Sequence, residues 1–139
     1  MRTMADLNTD CLRDGDPQAA MQGIEAALRS VRISLGGRPE MEIHAALAAA
    51  IESAGIQVRR EFLFAPGCRA DLWVKGIVIE AKRLRPPKEL IHAQIERYSQ
   101  AAAVRGIFVV LERSLPLPRE MNDKPVRVIS LNALWGVSL

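Results

Sequence analysis

Cysteine and aromatic residues are both scarce. Two cysteines, Cys11 and Cys68, cannot make the framework of paired bridges that staples a small secreted fold. A reducing cytoplasm is therefore the expected compartment. Two histidines, His44 and His92, stand alone, and neither they nor the cysteines have zinc-site spacing. Aromatics are 4% of the chain, so Ala, Leu, Ile and Val must fill the core. No apolar run is long enough to span a membrane. Acids come early and no apolar signal core follows, so no export signal is expected. No dinucleotide or other organic-cofactor fingerprint is present, and none is expected to bind.

What remains is a chain of 139 residues, enough for one domain with a real core. The net charge is +3, mildly basic. The distribution is more informative. Residues 56–105 hold ten Lys/Arg and five Asp/Glu, while the flanks are close to balanced. A polyanion is the partner that such a centre suits.

Residues 1–16 are polar and aperiodic and read as a loose arm. Pro17 opens a helix expected to run to about Ile33, with Met21, Ile24, Leu28 and Val31 on one stripe. Gly36-Gly37 breaks it. A second helix spans about Pro39 to Ser53, capped by Gly55. The period then changes. Gln57–Phe64, Ala70–Val74 and Ile77–Lys82 read as strands. Lys75-Gly76 alone separates the last two, which fits a two-residue hairpin. After a loop at Leu84–Pro87, Lys88–Val104 reads as a helix with Ile91, Ile95, Tyr98 and Ala102 on one stripe. Ile107–Leu111 reads as a buried central strand. Residues 112–125 form a proline-rich surface loop, Pro125–Ser130 a last strand, and Leu131–Trp135 a short closing helix. The expected fold class is α/β, three layers (α/β/α) around a mixed sheet. Residues 1–35 divide off as an arm and helix able to make a dimer contact, and 36–139 as the main domain.

The hairpin fixes a register. Val74 faces Ile77, Trp73 faces Val78, Leu72 faces Ile79, and Asp71 faces Glu80. Opposed residues have Cβ atoms about 5 Å apart. Two carboxylates are thus expected side by side on one sheet face, with Lys82 on the same face and Ala81 on the other. In an apolar strand that pair is costly, because like charges repel and buried carboxylates resist ionising. A divalent cation removes both problems. Hard oxygen ligands favour Mg²⁺ or Mn²⁺ over zinc, and the Ala81 carbonyl can complete the set. The plainer alternative is a Glu80–Lys82 salt bridge in a half-exposed strand.

The run Arg69-Ala70-Asp71-Leu72-Trp73-Val74, then Gly76-Ile77-Val78-Ile79-Glu80-Ala81-Lys82, resembles the core motif of PD-(D/E)XK nucleases. It is most similar to the small restriction-endonuclease-like enzymes of phages and mobile elements and to archaeal Holliday junction resolvases. The helix before it and Gln94-Ile95-Glu96-Arg97-Tyr98 after it extend the likeness over residues 39–130. Ala70 departs from the proline of the motif's name. The resemblance implies a restriction-endonuclease-like fold and a Mg²⁺-dependent deoxyribonuclease, commonly a homodimer. In it Asp71 and Glu80 hold the metal and Lys82 orients the attacking water.

An acid on the preceding helix often joins such sites. Against a core stripe of Ile43, Leu47, Ala50, Ile51 and Ala54, Glu40 lies within roughly 50° of the centre and Glu42 roughly 110° away. Glu40 is therefore the expected helix acid, with a first-turn dipole role as its alternative. Gln94 is expected to hydrogen-bond near the metal or phosphate. Glu61 reads as the partner of a neighbouring arginine. His44 and His92 read as surface or core residues rather than catalysts. Arg59, Arg60, Arg69, Arg83, Arg85 and Lys88 are expected to contact the DNA backbone. No recognition-helix signature appears, so DNA would be read by shape or backbone. Two rival readings stay open. One is a DNA-binding or assembly module that keeps the fold without activity, and the other is a plain α/β structural domain.

Overall fold

A computed structural model of the chain describes residues 16–31, 39–82 and 86–131. The expected arm, Arg83, Arg85 and most of the closing helix lie outside the described residues.

The helix α1 spans Pro17–Arg29. Asp16 caps it by accepting from the Gln18 N–H at 3.0 Å, and Pro17 fills the first turn. Its stripe of Met21, Ile24, Ala27 and Leu28 is buried. The helix α2 spans Glu40–Ser53, with acids in the first turn where they complement the dipole. Gly55, at φ +80°, takes the left-handed position after it.

Strand β1 covers Arg59–Ala65, β2 Cys68–Val74 and β3 Ile77–Lys82. The helix α3 covers Lys88–Ser99, then come β4 at Gly106–Leu111, β5 at Glu120–Met121 and β6 at Lys124–Ser130. The strand order is β1-β2-β3-β4-β6-β5. The pairs β1/β2, β2/β3 and β5/β6 are antiparallel, while β3/β4 and β4/β6 are parallel. The sheet is mixed because α3 carries the chain back across it between β3 and β4.

Each face has its own core. On one, α1 and α2 pack against Leu72, Val74, Ile77, Ile79, Ala81, Phe108 and Val110. On the other, Ile91, Ile95 and Tyr98 of α3 pack against Val78, Ile107, Val109 and Trp73. Both faces of β3 and β4 are therefore covered, which explains their unbroken apolar runs. The buried side of α1 belongs to the first core, so only its outer face is left for a contact with a second copy.

Five elements differ from the sequence reading. The helix α1 ends at Arg29, with Ser30 as its cap, short of the expected Ile33, and β2 begins at Cys68, two residues ahead of the expected Ala70. The helix α3 stops at Ser99 rather than Val104. The Ser99 hydroxyl bonds back to the Glu96 carbonyl, Asn122 donates to that hydroxyl, and the Lys124 ammonium takes the Ala101 carbonyl at 2.6 Å. These partners end the helix where the apolar stripe alone would extend it. The segment 112–125 is not wholly a surface loop. Leu115 is buried under α3, and Glu120–Met121 pairs with β6 across a left-handed Asn122-Asp123 turn. Strand β1 begins two residues later than expected. No helix among the described residues is long and apolar enough to cross a membrane.

Candidate metal centre at the open end of the β2–β3 hairpin

The hairpin turn is the point from which the site is built. Lys75 at φ +44° and Gly76 at φ +92° give the doubly left-handed turn that suits the twist of two strands. A Cβ on Gly76 would lie 2.8 Å from the Ala103 carbonyl oxygen. The Arg105 N–H donates to the Gly76 carbonyl at 2.7 Å, and its guanidinium donates to the Lys75 carbonyl at 3.0 Å. The turn is thus clamped against the start of β4. The register from it is the expected one: Val74 with Ile77, Trp73 with Val78, Leu72 with Ile79.

One step further the backbone ladder gives way. The Asp71 N–H donates to Glu80 Oε1 at 3.1 Å, and the Ala81 N–H donates to Asp71 Oδ2 at 2.9 Å. Two carboxylates have inserted where main-chain pairs would continue. The alternation of β2 also shifts here. Trp73 lies in the α3-side core, Leu72 in the other, yet Ala70 returns to the α3 side. On β1 the position opposite Asp71 is Glu61, held at φ +49°. Asp71 therefore sits at a matched irregularity of two strands.

This corrects the expectation that both acids project from one face. Glu80 and Lys82 do share the α3 face, with Lys82 Nζ 3.6 Å from Glu80 Oε2. Asp71 instead meets α2, at the irregularity that β2 shares with Glu61 of β1. The two carboxyl groups still act on each other, the charge of Asp71 raising the Glu80 pKa.

The α2 group against Asp71 is His44, whose Nε2 is 3.3 Å from Asp71 Oδ2. The approach is misaligned for a hydrogen bond, so Nε2 is a buried nitrogen with no partner of that kind. Proximity to the Asp71 carboxylate raises the His44 pKa against the opposing effect of burial, helped by the Ala81 carbonyl and the charge of Glu40. Glu40, the expected helix acid, is exposed one turn earlier and acts on His44. The sequence carries a signal for the burial of His44: with Leu47, Ala48 and Ile51 it makes an i, i+3, i+4, i+7 set, and all four are buried.

The acids are driven apart in pKa. Burial, then the charge of Asp71, pushes Glu80 up to about 7, with Lys82 opposing. Burial would raise Asp71 too, but His44, the Ala81 N–H and Lys82 outweigh it and hold Asp71 below the usual carboxylate range. The pair titrates as a unit.

Gln94 donates to the Tyr98 hydroxyl at 3.0 Å, and that hydroxyl donates to the Arg69 carbonyl at 2.9 Å. Gln94 thus holds Tyr98, and Tyr98 ties α3 to the backbone two residues before Asp71. Burial and the nearby Glu80 charge push the Tyr98 pKa up to about 12, so it stays a donor. Sequence reading had placed Tyr98 only as a core residue. Arg59, Arg60, Arg69 and Lys88 are exposed. Arg59 shares the face of Phe62, over whose ring its guanidinium lies, and Arg60 as its neighbour points the other way.

The described residues offer a hard cation few ligands. Among the described residues no three His, Cys, Asp or Glu side chains form a ligand cluster. Two carboxylates remain, one buried and hard to ionise, beside an imidazole nitrogen without a hydrogen bond. Mg²⁺ commonly binds through one or two carboxylates, with water and phosphate supplying the rest. The chain matches no protein-family model, no curated protein and no solved structure.

Proposed function

We propose that the chain is a Mg²⁺- or Mn²⁺-dependent deoxyribonuclease that hydrolyses phosphodiester bonds, built on a restriction-endonuclease-like domain. The observation that carries this reading is the insertion of Asp71 and Glu80 between β2 and β3, with Lys82 beside them. Repelling acids are held together by main-chain N–H groups at a point where a continued ladder would be more stable. Such an arrangement costs stability and suits a site.

Asp71 and Glu80 would hold the ion, with the Ala81 carbonyl at hand. The ion supplies positive charge to the scissile phosphate and lowers the pKa of water. The chain's own groups do the rest. Glu80, engaged by a cation, has less hold on Lys82. The Lys82 ammonium can then donate to the attacking water and to the phosphate, orienting one toward the other. Water would add to phosphorus as the P–O bond to the leaving strand breaks, the proton it sheds passing to solvent and the leaving oxygen taking one up from solvent. His44 keeps Asp71 ionised and in place. Endonucleolytic cutting of both strands would need two copies, so a homodimer belongs to this reading.

A second reading keeps the DNA-binding surface without hydrolysis. The lack of a three-ligand cluster among the described residues favours it. Incubation with plasmid, linear and four-way-junction DNA, with Mg²⁺ or EDTA, separates the two. The expected result is Mg²⁺-dependent cleavage that Lys82→Ala lowers by at least about a hundred-fold. Equal cleavage by both proteins, or none by either, would reject the catalytic assignment.

A further inference from the structure

The scarcity of aromatics makes their placement informative. Of the six in the chain, four meet at one place on the α3 face. Phe62 and Phe64, two residues apart on the edge strand β1, flank Trp73 with ring centroids 5.0 and 5.2 Å away. Phe64 meets Tyr98 edge-on at 5.0 Å. Trp73 and Tyr98 are buried, but Phe62 and Phe64 are only half-buried, because no strand lies beyond β1.

The charges laid on these rings are both positive. The Arg59 guanidinium is 5.3 Å from the Phe62 centroid and that of Arg97 is 5.6 Å from the Tyr98 centroid. Arg59 reaches Phe62 because left-handed Glu61 interrupts the alternation of β1 and brings positions 59 and 62 to one face. A planar cation over a half-buried aromatic on an edge strand is what a nucleobase stacks on or displaces, and the freed guanidinium then pairs with phosphate. This is also the face of Glu80 and Lys82, and β1 is two strand spacings from β3, about 10 Å. The platform is within reach of nucleotides flanking a phosphate held at Lys82.

We propose that Phe62 and Arg59 form a stacking platform for an unpaired base next to the scissile phosphate. The preferred substrate would then carry single-stranded DNA at the cut: an overhang, a flap or a frayed end. This rests on the hydrolase reading for the word substrate, but the binding it asserts does not need catalysis.

The test is anisotropy of a labelled oligothymidylate and of a labelled blunt hairpin duplex, both in EDTA. Wild type is compared with Phe62→Leu, which keeps the apolar bulk, and with Arg59→Ala at an exposed position. The expected result is that both variants weaken single-strand binding by about five-fold or more, while Phe62→Leu leaves duplex binding within two-fold. Single-strand binding that is absent, or unchanged in Phe62→Leu, overturns the platform. Should Phe62→Leu not fold, Arg59→Ala decides alone, and unchanged single-strand affinity there is equally fatal. If the platform fails while Mg²⁺-dependent cleavage of duplex persists, the hydrolase stands without it. If the strand binds through Phe62 and nothing is cut, the hydrolase falls alone.

Discussion

The main-chain N–H of Asp71 donates to the side chain of Glu80, and the side chain of Asp71 accepts from the residue after Glu80. Each acid is therefore fixed by the other's strand. The hairpin is opened and held open by the groups proposed to bind the ion, so their chemistry should register in folding as well as in function.

The first consequence is for stability without metal. The Glu80 pKa is about 7 in the folded protein against 4.5 for the free side chain. Between those values the unfolded chain is ionised while folded Glu80 keeps its proton. The contribution of Glu80 to stability is thus fully present below pH 4.5 and falls as pH rises to about 7, by on the order of 3 kcal/mol at most, while Asp71, whose pKa is lowered, loses its own contribution in the opposite direction at more acid pH. His44, whose pKa is raised, adds a loss at higher pH with the same sign as Glu80. Urea unfolding in EDTA across pH 4.5–8 should show the decline, and Glu80→Gln should remove its lower part.

Cleavage should have an acid limb set by the same proton. Glu80 must lose it to take a cation, so activity at limiting Mg²⁺ rises tenfold per pH unit below about 7. More Mg²⁺ competes better with the proton and moves the limb to lower pH. A limb that ignores Mg²⁺ concentration would assign the titration to another group.

Tyr98→Phe should destabilise by about 1–3 kcal/mol, because the Arg69 carbonyl and the Gln94 amide both lose their partner in a half-buried place. Denaturant midpoints measure this. Gln94→Ala leaves the Tyr98–Arg69 bond intact and should cost less.

Gly76→Ala tests the turn. It meets the Ala103 carbonyl at 2.8 Å and must adopt φ near +92°, so a loss above about 2 kcal/mol is expected in thermal unfolding. Since the site is reached by counting from this turn, metal binding should weaken with it.

What the sequence disclosed and what it hid divide along the range of the interactions. Lys75-Gly76 set the hairpin register because a two-residue loop pairs the residues on either side of it, and three pairs follow. The stripes of α1 and α3 were legible from spacing. Where Asp71 points was not, since it depends on a left-handed Glu61 on another strand, and glutamate gives no compositional sign of that geometry. The period of His44 matches the buried set, but a lone histidine on a helix gives no sign of the carboxylate on β2 that it meets. The end of α3 is decided by Asn122 and Lys124, more than twenty residues away.

The central claim is that Asp71 and Glu80 together bind a hard dication. Isothermal titration of Mn²⁺ into the wild type, Asp71→Asn and Glu80→Gln at pH 7.5 tests it without any DNA. One ion per chain, with protons released on binding and affinity lost by at least about ten-fold in each variant, is the expected result. Titrations in which the wild type takes up no Mn²⁺, or in which both variants bind it as the wild type does, would contradict it.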